Sequence, residues 1–66
     1  MNIAIRLKAL REEYKITQSE LAKETRIKQQ NISRWEAGIH IPNIEDCIKI
    51  ADYYKITLDE LVDRDI

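Results

Sequence analysis

Three features of this 66-residue chain predict an all-α fold of five helices. Apolar residues recur at three- and four-residue intervals over most of its length, the period of a helix with one buried face. Two segments open on a threonine with a glutamate three residues on, Thr17 with Glu20 and Thr57 with Glu60. That reciprocal pair closes a helix N-terminus. Breakers are sparse: one glycine, Gly38, and one proline, Pro42, fall close together, and no segment reads convincingly as a strand.

Each element follows from that reading. Ile3, Leu7, Leu10 and Tyr14 form the apolar stripe of a first helix. Thr17 caps a second, whose inward residues are Leu21 and Ala22. The chain turns around Arg26. A third helix runs from about Gln29 to Trp35 and buries Ile32 and Trp35. Gly38 suits a helix end that needs positive φ, and residues 39–42 form a loop. Asn43 caps a fourth helix, with Ile44, Cys47, Ile48, Ala51 and Tyr54 on one face. Thr57 caps a short last helix carrying Leu58, Leu61 and Val62, and the final residues 63–66 are expected to fray. The whole, residues 1–66, reads as a single domain with its central two-helix unit at about 18–36.

Composition narrows the function. A chain this short buries a limited core. Cys47 is the only cysteine and His40 the only histidine, so neither a disulfide framework nor a Cys/His zinc site is available. No metal, cofactor or small-molecule ligand is expected. With no acid–base pair set for catalysis, an enzyme is not expected either. Nothing reads as a signal peptide or a membrane span, so the chain is expected to be cytoplasmic. Cys47 is expected to be a buried, inert thiol, and His40 an exposed loop residue. Net charge is −1, but unevenly spread. Residues 1–38 hold eight Lys/Arg against five Asp/Glu, a net of +3, and residues 39–66 hold three against seven, a net of −4. The positive half carries the two-helix unit.

The third helix has the most informative surface. At about 100° per residue, Gln29, Gln30, Ser33 and Arg34 fall on one side, opposite Ile32 and Trp35. Gln can bond adenine bidentately at N6 and N7, and Arg can bond guanine at O6 and N7, each pair discriminating by about 1–3 kcal/mol. A polar helix face of this kind, behind a capped preceding helix, points to the reading of double-stranded DNA through the major groove.

The residues carrying this pattern also carry a resemblance. They are Arg6-Leu7-Lys8 with Leu10-Arg11, Thr17-Gln18 with Glu20-Leu21-Ala22, and Ile32-Ser33-Arg34-Trp35-Glu36 with Gly38. Pro42, Ala51 and Leu58-Asp59-Glu60-Leu61 complete the set. In order and spacing the chain resembles the lambdoid phage repressor and Cro (XRE) family of helix-turn-helix regulators. The resemblance implies a lambda-repressor-like domain and base contacts from Gln29, Gln30, Ser33 and Arg34. It implies a phosphate contact from Gln18, which also braces Gln29; Lys28, a cation at the start of the third helix, and Asn31 are expected to contact phosphate as well. It also implies a structural ion pair, Arg11 with Glu36, between the first and third helices. The chain departs from the family where Lys15, Arg26 and Lys55 stand at helix ends that favour glycine. Lys28 replaces the usual Ser/Thr cap, and the loop Ile39-His40-Ile41 lacks the family's basic residues.

Together these features predict a sequence-specific repressor that binds a palindromic operator as a homodimer. Tyr53, expected to point away from the fourth helix's apolar face, forms the expected dimer patch with Val62 and Ile66. The alternative is a protein-interaction module of the same fold. In that case Ile39, Ile41 and Tyr53 would matter and Gln29 and Gln30 would not.

Overall fold

The computed structural model describes residues 2–62 and has the five expected helices, with no strand among those residues. They are α1 (Ile3–Glu13), α2 (Gln18–Thr25), α3 (Gln29–Glu36), α4 (Ile44–Tyr54) and α5 (Leu58–Leu61). Helix α3 packs on both α1 and α2, and α4 packs on α2 and α5. Leu7, Leu10, Leu21, Ile27, Ile32, Trp35, Ile50, Ala51, Tyr54 and Leu61 form one core where these helices meet.

Helix starts follow the expected chemistry. Thr17 and Thr57 each accept from the backbone N–H three residues on, and Glu20 and Glu60 reach back to the threonine N–H. The Thr57 bonds also favour ionised Glu60, holding its carboxyl below the usual range. Asn43 caps α4 by accepting from the Asp46 N–H at 2.8 Å. Asn2 caps α1 in the same way, accepting from the N–H groups of Ala4 and Ile5.

Helix ends share one device. Lys15, Arg26, Gly38 and Lys55 all take positive φ, between 56° and 78°. Every one of them precedes an isoleucine: Ile16, Ile27, Ile39 and Ile56. Behind Lys15, Gly38 and Lys55 the isoleucine N–H bonds back five residues, to Arg11, Arg34 and Ala51. This is the left-handed closure in which an apolar residue folds back over the finished helix. Ile16, Ile27 and Ile56 pack on the core, whereas Ile39 stays 67 % exposed.

Three expectations need correction. Tyr14 is not inside the α1 stripe. It caps the helix C-terminus, is exposed, and lays its ring 4.6 Å from that of Tyr54. On α4 the buried residues are Ile50, Ala51 and Tyr54, with Cys47 half-buried, while Ile44 and Ile48 face outward. Two apolar stripes are legible in that helix, and packing against α2 and α5 selects the one that runs through Ile50, Ala51 and Tyr54. Tyr53 does not point away from the protein. It is half-buried, packs on the core and meets Tyr54 edge-on at 5.2 Å.

Candidate nucleic-acid interface

The α2–α3 unit is held by one polar cluster. The Arg11 guanidinium donates to both Glu36 carboxylate oxygens, at 2.8 Å from Nε and 3.0 Å from Nη2. Its Nη1 donates to the Ile16 carbonyl at 2.9 Å. Gln18, the first residue of α2, donates its amide N–H to the same carboxylate at 3.1 Å. The pair is sheltered, the Arg11 and Glu36 side chains being 14 % and 5 % exposed. The hydrogen bonding of Arg11 to the Glu36 carboxylate keeps the Arg11 pKa above its ordinary value, so the cation is permanent. This carboxylate ties the end of α3 to the start of α2 and to α1, which fixes the angle between the two helices.

Helix α3 divides as its sequence implies. Ile32 and Trp35 are buried at 2 % and 4 % exposure. Gln29, Gln30 and Ser33 are exposed and Arg34 is half-buried. These four span about 140° of the helix surface. Asn31 is half-buried and falls outside that arc, nearer the packed side. Lys28 holds the N-cap position in extended conformation, and its side chain makes no capping bond. The first N–H groups of α3 therefore lack a side-chain partner, and an anion is the natural group to meet them.

A shallow groove of about 320 Å³ between α1 and α3 is lined by Lys8, Arg11, Gln18, Ser33, Glu36 and Ala37. It places Gln18 beside Ser33, residues 15 apart in the chain. It also adds Lys8, an exposed cation that sequence reasoning left out of the site. Only the α1–α3 packing places it there, and periodicity alone gives no such signal. Gln18 is turned to Glu36, a bond that neither spacing nor the resemblance indicated. Val62 caps α5 and is half-buried, and Ile66 lies outside the described residues. His40 is exposed, and the half-buried Cys47 thiol sits 3.9 Å from the Pro42 carbonyl with its pKa raised by burial. No helix among the described residues is long and apolar enough to cross a membrane.

Comparison with known proteins agrees with this geometry. The helix-turn-helix family model HTH_3 matches residues 7–61. The chain belongs to this family, the XRE-type helix-turn-helix regulators. It is 36 % identical over 64 residues to the cryptic phage CTXphi transcriptional repressor RstR of Vibrio cholerae, covering 97 % of this chain and 57 % of that protein. It is 35 % identical over 57 residues to the HTH-type transcriptional activator BcrR of Enterococcus faecalis, covering 86 % and 28 %. With the HTH-type transcriptional regulator ImmR of Bacillus subtilis the figures are 29 % over 65 residues, 98 % and 51 %. The fold superposes on the crystal structure of a transcriptional regulator from Listeria innocua with a TM-score of 0.84 at 25 % identity. That match covers 97 % of this chain and 60 % of that one. The chain thus spans between about a quarter and three fifths of the length of these relatives. The family is one of DNA-binding regulators, not of enzymes.

Proposed function

We propose that the chain is a sequence-specific DNA-binding domain that represses transcription in the cytoplasm, binding an approximately palindromic operator as a homodimer. The observation that carries this reading is the division of α3. Its apolar side is closed into the core, while Gln29, Gln30 and Ser33 stand outside it on a helix whose tilt is locked by Glu36. Arg34 lies on the same arc, where it can reach a guanine edge. Gln18, Lys28, Asn31 and Lys8 surround this face and supply phosphate contacts that set the register. Two such helices entering successive major grooves place half-site centres about 10 base pairs, or roughly 34 Å, apart. Repression needs no further chemistry, since an occupied operator excludes polymerase.

The α4–α5 half carries the acidic excess and faces away from phosphate under this arrangement. With a net charge of −1, affinity rests on a few placed contacts more than on a broad field. The test is selection of sites from a random duplex library, using wild type and Gln29→Ala/Gln30→Ala at two salt concentrations. A palindromic site that the double variant fails to enrich is the expected result. Weak, salt-sensitive binding shared by both proteins would overturn the reading. It would favour instead a protein-interaction module working through the exposed Ile39 and Ile41.

A further inference from the structure

Between residues 39 and 48 four isoleucines lie open to solvent. Ile39 is 67 % exposed, Ile41 80 %, Ile44 64 % and Ile48 43 %. Scattered exposed apolar residues are ordinary, but a contiguous group is not. Ile44 and Ile48 are one helical turn apart on α4, with Ile41 just before the helix. Ile39 is also the one helix-closing isoleucine of the four that is left exposed.

We infer that the outer face of α4, with the loop before it, is the surface on which a second copy of this chain docks, with the two α4 helices antiparallel. The inference rests on the dimeric reading above and assigns its surface. Charge complementarity selects the occupant. Glu45 and Lys49 are both exposed and flank the Ile44–Ile48 strip on the same side. Across a two-fold axis perpendicular to α4, a flank meets its own copy reversed. An axis passing near residue 47 sets Glu45 opposite the other copy's Lys49, twice. The same axis interleaves Ile44 of each copy with Ile48 of the other. One strip thus complements itself in both shape and charge, which an isologous contact requires. DNA does not fit here, since the carboxylates of Glu45 and Asp52 lie along the flank of the strip.

The placement suits the reading helix. Ile39, the first of the four isoleucines, follows the end of α3 by three residues, so this surface starts at the α3 C-terminus, the opposite end of that helix from Gln29 and Gln30. The body measures 32 × 25 × 22 Å. Two such bodies joined across one face set their centres about one body width apart, the order of the ~34 Å between half-sites.

The experiment is sedimentation velocity on the full chain over a concentration series, alone and with the selected operator. The monomer is 7.8 kDa. Wild type is expected to approach twice that mass, and Ile44→Asp/Ile48→Asp to stay monomeric with an unchanged helical spectrum. Glu45→Lys alone and Lys49→Glu alone each set like charges together twice per dimer and should weaken association by about tenfold. The double exchange Glu45→Lys/Lys49→Glu should restore it. All four residues are exposed or nearly half-exposed, so the charge variants keep the test decisive if the aspartate variant unfolds. If both aspartate and charge variants dimerise as wild type does, this surface is wrong and the dimeric reading stands. If the exchange fails to restore association, the antiparallel arrangement is wrong. A wild type that remains monomeric even on operator overturns both.

Discussion

Removing Glu36 should cost this domain a large part of its stability. A domain of this length is stable by on the order of 3–10 kcal/mol. Glu36→Ala strips the Arg11 guanidinium of two hydrogen bonds and its counter-charge, leaving only the Ile16 carbonyl. Breaking a buried pair from one side costs about 3–5 kcal/mol. The guanidinium is 14 % exposed and keeps one acceptor, so the loss belongs near 3 kcal/mol. Arg11→Ala should be worse. It leaves a carboxylate only 5 % exposed with Gln18 as its sole partner, and it orphans the Ile16 carbonyl, so the upper end, about 5 kcal/mol, applies. Replacing both at once, Arg11→Met/Glu36→Leu, leaves no unpaired charge and should cost less than either single change. Urea unfolding followed by far-ultraviolet circular dichroism gives the three losses, and their cycle gives the coupling. Single losses below about 1 kcal/mol, or a double variant whose loss is the sum of the singles, would refute the argument.

Three further outcomes are expected. Tyr54 is 3 % exposed, its hydroxyl meets no partner among the described residues, and burial pushes its pKa up to about 12. The folded state thus favours the protonated phenol, so stability holds below pH 10 and falls between about 10 and 12 by on the order of 2 kcal/mol. Tyr54→Phe should flatten that part of the pH profile and be neutral or stabilising by up to about 1 kcal/mol at pH 7. An unchanged alkaline profile would contradict it. Lys28→Ser supplies the cap that α3 lacks. It should raise the melting temperature by about 4–8 °C for each kcal/mol gained, with about 1 kcal/mol expected. It should also lower operator affinity and reduce the salt slope by about 1, and a stable variant with unaltered slope would remove Lys28 from the phosphate contacts. Lys55→Gly relieves a left-handed residue at φ 58°. It should stabilise by no more than about 1 kcal/mol, because glycine's greater freedom when unfolded offsets part of the relief. A loss in thermal unfolding would show that the Lys55 side chain, not its backbone, matters.

Much of the fold was legible because its signals are local. A threonine capping box, an asparagine cap and a single glycine act within four residues of themselves, so Thr17, Asn43, Thr57 and Gly38 stand where the chain implied. The division of α3 was equally plain, since Ile32 and Trp35 leave only one side for Gln29, Gln30, Ser33 and Arg34. The face of α4 was not, because Ile44, Cys47, Ile48 and Ala51 make as good a helical stripe as Cys47, Ile50, Ala51 and Tyr54. Period alone gives them equal standing.

What the sequence by itself determined is the order of the helices, their ends and which residues of α3 are polar, because these depend on neighbours in the chain. The tertiary structure alone decided three further matters: that Gln18 answers to Glu36, that Lys8 joins Ser33 at the groove, and that Ile50 rather than Ile48 is buried. Each depends on where one helix axis lies against another. That is settled by which side chains of distant segments fill the same small core, a quantity that no short window of residues contains.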